Sequence, residues 1–278
     1  MTLPSGLSKP EKWEEKRVKY MTNKEILQIA MKQSARDINC NAEDFLRDDP
    51  VIVKSGVGPE ARAYYKEPIT CNLVSYGNNI VASVREEYRD VIEEYIHKFK
   101  FYHCFETPNL HWLSERLEPM GQKICFMAEY YLPDAENFPV LPCGYETRIL
   151  EQKDFGDLYR PEWSNALCED RKECDVLGMG AYDGGELVGF AGASADCDTM
   201  WQIGIDVLPA YRRKGIASSL TGRLAAEILN REKVPFYCSA WSNIPSVRNA
   251  VKSGFIPAWV EMTVKPAGVV DEINQAIS

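Results

Sequence analysis

Along residues 200–207 apolar and polar positions alternate: Trp201, Ile203, Ile205 and Val207 are apolar, while Gln202, Gly204 and Asp206 between them are polar or small. A period of two predicts a half-buried strand, and Pro209 predicts its end. From Ile216 the period changes to that of a helix. Ile216, Leu220, Leu224 and Ile228 recur on one face with Ala225 and Leu229 beside them, so a helix is expected from near Gly215. Between the two lies Tyr211-Arg212-Arg213-Lys214-Gly215. The segment reads as strand, basic glycine-containing turn, helix.

The same two periods run through the remainder of the chain. Thr22 and Glu25, three apart, form a capping box ahead of a helix through Ile26, Leu27, Ile29, Ala30 and Met31. A helical or irregular part near 42–46 ends at Asp49-Pro50, and 51–53 reads as a short strand. Two strands are expected over 69–84 around Tyr76-Gly77-Asn78-Asn79, where Gly and Asn tolerate the positive φ of a tight hairpin. A helix over 86–98 follows, and 124–132 reads as a buried strand. The stretch 133–143, with three prolines, is the expected linker. The first twenty-odd residues mix charges of both signs and are expected to form a leading arm or a short surface helix.

Beyond the linker, a strand is expected over 145–150, the start of a helix over 154–158 and a charged helical stretch over 161–175. Strands over 176–182 and 187–193 are joined by Asp183-Gly184-Gly185-Glu186, a hairpin signal. After the basic turn and its helix come a strand over 234–241, a short helix opened by Asn243 and closed at Gly254, and a closing strand over 255–264.

The basic turn has a physical use. The first turn of a helix points unpaired N–H groups outward at the positive end of the macrodipole, which is a seat for phosphate. Gly215 has no Cβ to obstruct a ligand, and Arg212, Arg213 and Lys214 add positive charge. Taken alone, the same pattern also describes an ordinary strand-to-helix turn with a solvated basic corner. Together with Asn243-x-x-Ser246 through Gly254-Phe255, it resembles the GNAT acetyltransferase superfamily: Arg212-Arg213-Lys214-Gly215-Ile216-Ala217 is similar to the pyrophosphate loop, and the segment from Asn243 to the second cofactor helix.

The resemblance covers nearly half the chain and implies an α/β (α+β) fold with a mixed, mostly antiparallel sheet flanked by helices. Residues 143–278 are the expected GNAT domain, and residues 1–142 a smaller companion, either a degenerate GNAT-like copy or simply an α/β domain, that walls one side of an acceptor cleft. It implies transfer of an acetyl or short acyl group from acetyl-coenzyme A to the amine of a small cationic molecule. Pyrophosphate would sit on the N–H groups from Arg213 to Ala217 beside Arg212. Pantetheine would pair along Ile205 to Val207, with Asn243 and Ser246 making polar contacts. A main-chain N–H of the central strand would polarise the thioester carbonyl.

The sequence departs from the family pattern at the catalytic positions. The residue seven after Asn243, where many members carry a Tyr as general acid, is Ala250, and a family Glu on the central strand corresponds to Trp201. Ser246 is then a candidate to assist the departing thiol, or simply a helix-capping Ser. Asp206 and Glu162 are candidate bases, with water-mediated deprotonation as an equal route. The alternative function is an inactive acyl-coenzyme A sensor or scaffold.

Composition changes this picture little: 45% of the 278 residues are apolar and 26% charged, as in globular proteins. The net charge of -9 weighs against nucleic acid and anionic membranes as partners, and so against a transfer-RNA-dependent aminoacyl transferase. Nine cysteines without a Cys-x-x-Cys pair, and no visible leader, fit reduced thiols and a cytoplasmic compartment. His97, His103 and His111 form no metal-ligand spacing with them, so no metal is expected. No apolar run approaches the roughly 20 residues that span a bilayer. Oligomeric state is not legible.

Overall fold

The structure, a computed structural model, describes residues 21–65, 69–139 and 141–277. The expected leading arm lies almost wholly outside them. In chain order the elements are α1 (Asn23–Ile38), β1 (Val51–Lys54), β2 (Cys71–Ser75), β3 (Val81–Val84), α2 (Arg89–Lys98), α3 (Thr107–Leu117), β4 (Gln122–Pro133) and β5 (Glu146–Glu151). Then come β6 (Asp175–Asp183), β7 (Glu186–Ser194), β8 (Met200–Val207), α4 (Ile216–Asn230), β9 (Val234–Ser239), α5 (Ile244–Lys252), β10 (Phe255–Pro266) and α6 (Ala267–Ile277).

Among the described residues ten strands join one sheet in the order β1-β3-β2-β10-β4-β9-β8-β7-β6-β5, and of their pairings only β1–β3 and β8–β9 run parallel. The sheet is therefore mixed and mostly antiparallel, flanked by helices, in agreement with the expected fold class. Pairing crosses the 142/143 position. β4 pairs with β9, and β10 lies between β4 and β2, matching Val260 to Glu129 on one side and to Ser75 on the other.

Local signals set the elements as read. The Thr22 hydroxyl accepts from the Glu25 N–H while the Glu25 carboxylate accepts from the Thr22 N–H, a cap whose loss costs about 1 kcal/mol. Four packed clusters form around the sheet. Ile216, Leu220 and Leu224 of α4 pack on Ile203, Tyr237 and Phe255. Ile26 and Ala30 of α1 pack on Phe236 and Trp259. Helices α2 and α3 cover Leu73, Met262 and Val264.

The helix expected over 161–175 is instead two short 3-10 segments, Pro161–Trp163 and Glu169–Cys174. Two carboxylates explain the difference: Asp206 accepts from the N–H groups of Asn165 and Ala166, and Asp175 from that of Cys168. The Asn165 and Cys168 donors are thereby drawn from helical bonding, while Ala166 shares its N–H between Asp206 and the Trp163 carbonyl. Trp163, Ala166 and Leu167 then pack as a fourth cluster with Phe155 and Phe190. Helix α6 carries no start signal that the period of the sequence made plain.

Each cysteine is free and buried or half-buried. Among the described residues no three metal-ligating side chains gather, and no helix is long and apolar enough to cross a membrane.

Candidate active site

Strands β8 and β9 pair only from Met200 to Gln202 against Val234 to Phe236. Beyond that, β8 runs on to Val207 and β9 to Ser239 without a shared ladder. The unpaired ends leave a wedge, and β8 keeps its other edge bonded to β7, with Ala191 opposite Ile205 and Gly189 opposite Val207. Helix α4 starts beyond the end of β8 and α5 beyond the end of β9. Both helix N-termini thus lie at the carboxyl end of the diverging parallel pair, where open α/β sheets bind ligands.

The turn into α4 is built for an anion. Arg213 has φ +63° and Gly215 φ +82°, on either side of Lys214, an alternation of backbone conformation of the kind that gathers N–H groups around an anion. Gly215 is the N-cap of α4 and no side chain caps that helix, so its first-turn donors carry no protein side-chain acceptor. A Cβ on Gly215 would meet nothing within 4 Å. Arg212, Arg213 and Lys214 are exposed. Arg212 Nε donates to the Val207 carbonyl at 3.1 Å, and Lys214 Nζ lies 4.6 Å from the Tyr211 ring centroid. Tyr211 itself donates to Asp183 at 3.0 Å, tying the turn to the β6–β7 hairpin. Ile216 is buried in the core and offers only its backbone; Ala217, Ile205 and Val207 are half-buried.

On the α5 side, Asn243 caps the helix by accepting from the Ser246 N–H at 3.3 Å. The Ser246 hydroxyl lies 2.9 Å from the hydroxyl of Tyr237 on β9, and Asn249 donates to Thr221 of α4 at 3.0 Å. Burial holds the Tyr237 hydroxyl above the ordinary phenol range. Opposite it on β4 stands Tyr131, bonded to the Glu129 carboxylate. Ala250, at the family's acid position, is fully buried. Tyr237 is the hydroxyl that sequence reading missed. Its signal was a hydroxyl directly after the apolar run Val234 to Phe236 of β9.

The other sheet face is different. Asp206 accepts from the Asn165 N–H at 2.8 Å, the Asn165 side-chain amide at 2.7 Å and the Ala166 N–H at 3.0 Å. Beneath that loop Gly192 and Gly204 face each other across β7 and β8, and a Cβ on either would come within 2 Å of a carbonyl oxygen of Asn165 or Ala166. Glu162 is exposed on the outer 3-10 turn, beside buried Trp163. The structure brings together Arg212 to Ala217, β8, Asn243 and Ser246 at one end of the wedge. It engages Asp206 in the loop clamp.

Next to the wedge on this face, Gln202 donates to Cys238 Sγ at 3.2 Å. Burial, reinforced by Glu261, pushes the Cys238 thiol up to about 11. A cavity of about 750 Å³ opens beside them, lined by Tyr64, Tyr65, Tyr130, Ala240 and Glu261 among others. Behind it lies a buried ionic cluster. Arg62 pairs with Asp37 at 2.9 Å and approaches Glu261 at 3.8 Å, and its guanidinium lies 5.0 Å from the Phe236 ring centroid. Glu261 also accepts from Trp259 Nε1 at 2.7 Å and from the Tyr65 hydroxyl at 2.9 Å. Glu261 was not foreseen either, since its partners come from sequence positions far away.

Residues 144–255 match the model of the Acetyltransferase (GNAT) family. No curated relative matches the chain. Among solved structures it is similar to a putative GNAT acetyltransferase from Novosphingobium aromaticivorans, with 18% identity over 52% of this chain and 66% of that one and a TM-score of 0.42. This chain thus spans just under two thirds of that protein. A GCN5-related N-acetyltransferase-like protein from Streptococcus suis has 17% identity over 72% of this chain and 85% of that one, TM-score 0.45. An aminoglycoside N-acetyltransferase in complex with CoA has 22% identity over 40% of this chain and 91% of that one, TM-score 0.33.

Proposed function

We propose, on the premise of a GNAT acetyltransferase domain over residues 144–255, that the protein transfers an acetyl or other short acyl group from acetyl-coenzyme A to the amine of a small molecule. The observation that carries this is the β8–β9 wedge with the uncapped N-terminus of α4 at its mouth. In this reading the pyrophosphate rests on the N–H groups from Arg213 to Ala217, with Arg212 and Lys214 beside it. The pantetheine arm adds like a strand to the free edge of β8 from Ile205 to Val207. Residues 143–278 hold the donor, and the companion part, residues 1–142, walls the acceptor side.

The chemistry then divides between the sheet faces. The acceptor amine must shed its proton, and a water-mediated path serves for this. Its lone pair attacks the thioester carbon, whose oxygen takes a hydrogen bond from a β8 main-chain N–H. The C–S bond breaks, the attacking nitrogen releases its second proton to water, and the leaving sulfur receives a proton from the Tyr237–Ser246 hydroxyl pair, which water then reprotonates. Asp206, with three donors already bound, serves to shape the cleft rather than as the base.

The test is release of free coenzyme A thiol from acetyl-coenzyme A across a panel of primary amines, with donor binding followed by calorimetry. Turnover is expected with at least one amine, and Tyr237→Phe is expected to lower kcat about tenfold to a hundredfold with donor affinity retained. Failure of acetyl-coenzyme A to bind would remove the proposal.

A further inference from the structure

The cavity beside the wedge has opposite charges at its two ends. At the inner end Glu261 is 5% exposed. Each of its oxygens already accepts one bond, from Trp259 and from Tyr65, which leaves acceptor capacity for a further donor. The cluster around it holds one cation, Arg62, and two carboxylates, Asp37 and Glu261. Burial raises the carboxyls of both Glu261 and Asp37, so the cluster with all three groups ionised is one positive charge short and calls for a proton or a cationic partner. The neighbouring tyrosines add no further negative charge, because burial raises the hydroxyls of Tyr64, Tyr65 and Tyr130 well above the ordinary phenol range.

Those tyrosines offer something else. Tyr64 and Tyr65 lie with ring centroids 4.8 Å apart, and Tyr130 stacks on Trp259 at 4.6 Å. Aromatic walls beside a carboxylate suit an ammonium with a hydrocarbon body.

Along β10 from Glu261, every second residue lines the same cavity: Glu261, Thr263 and Lys265, with Arg85 also in its wall. Two residues of strand advance roughly 6.8 Å, so Glu261 and Lys265 leave the strand about 14 Å apart and their side chains close part of that gap. The Lys265 ammonium lies 5.4 Å from the ring centroid of Phe126, which is itself exposed. The outer end is thus a cationic seat. The inner end is the one near the wedge, since Ala240 in the cavity wall directly follows β9, whose Cys238 is bridged to Gln202 of β8.

We infer that the acceptor is a zwitterion with a short apolar spacer: its amine enters against Glu261 between the tyrosines, and its carboxylate rests on Lys265. This deepens the proposed function and rests on it. The acylated nitrogen is the one at the Glu261 end.

The experiment compares three acceptors of one length on the full chain: ε-aminocaproate, hexylamine and hexamethylenediamine. Each is measured by thiol release and, separately, by calorimetric binding without donor. The zwitterion is expected to exceed hexylamine in kcat/KM by about tenfold, the size of one well-placed charged contact. Lys265→Glu is expected to reverse the order in favour of the diamine with acetyl-coenzyme A affinity unchanged. Glu261→Gln is expected to weaken all three amines, about a hundredfold for a buried charge partner. Equal kcat/KM for zwitterion and hexylamine, or an unchanged order in Lys265→Glu, overturns the inference. If acetyl-coenzyme A does not bind, the enzymatic reading fails, while calorimetric preference for ε-aminocaproate still supports the zwitterion pocket and its absence overturns it.

Discussion

Gly215 joins two demands at one residue: a backbone at φ +82° and an open approach to the first N–H groups of α4. Gly215→Glu brings a carboxylate to that seat. It is expected to cut coenzyme A affinity about a hundredfold or more through like-charge repulsion, while the positive φ costs only about 1 kcal/mol of stability. Calorimetry beside a thermal melt checks both, and unchanged affinity would take the phosphate seat away from this turn. Asp175 makes a different kind of prediction. Burial raises its carboxyl to about 6, above the ordinary value of about 3.9. Between those values the folded chain keeps a proton that the unfolded chain has lost, so stability from this group falls as pH rises through the window and stays lower above it. Asp175→Asn retains an oxygen for the Cys168 N–H and the Tyr159 hydroxyl. The mutant-minus-wild-type difference in Tm is therefore expected to be more positive at about pH 7 than at about pH 4. At this scale the sequence made Arg212 to Ala217 legible because their meaning is local. It hid Tyr237 and Glu261, whose partners Ser246, Tyr65 and Arg62 are brought to them only by the sheet.

Strands and helices were legible where one face is buried and the period is clean, as in β8 and α4. The stretch 161–175 was not, because its backbone donors answer to Asp206 and Asp175 from other elements. The wedge itself was invisible in the sequence, since it consists of a ladder that stops after Gln202. What lies against it is the loop seated over Gly192 and Gly204. A methyl group at Gly204 would meet the Asn165 carbonyl oxygen at 1.8 Å, and backbone cannot yield as a side chain does. Gly204→Ala is expected to cost about 1–3 kcal/mol in urea unfolding. Gly156→Ala, with nothing within 4 Å of its Cβ, should change stability by less than about 0.5 kcal/mol. Equal effects would show that the loop does not sit on these glycines in solution.

The whole molecule is held by one continuous sheet whose centre includes β10, bonded on one side to β2 and on the other to β4. A fragment of residues 143–278 would expose both edges of that strand and the apolar faces it covers, Met262 and Val264 among them. It is expected to give no cooperative melt alone, whereas both fragments produced together from a chain cut at 142/143 are expected to reassemble and bind coenzyme A. A folded, cooperative 143–278 fragment would show that the shared strand is dispensable. The position of β10 also orders events in biosynthesis. A polypeptide emerges from the ribosome from its first residue onward, and most domains can close as they emerge. Here the strand that separates β2 from β4 is made after β5 to β9, so the early half waits with unpaired edges on β2 and β4 until those strands and the helices between them have been made. Chaperone attendance on the nascent chain would matter most in that interval.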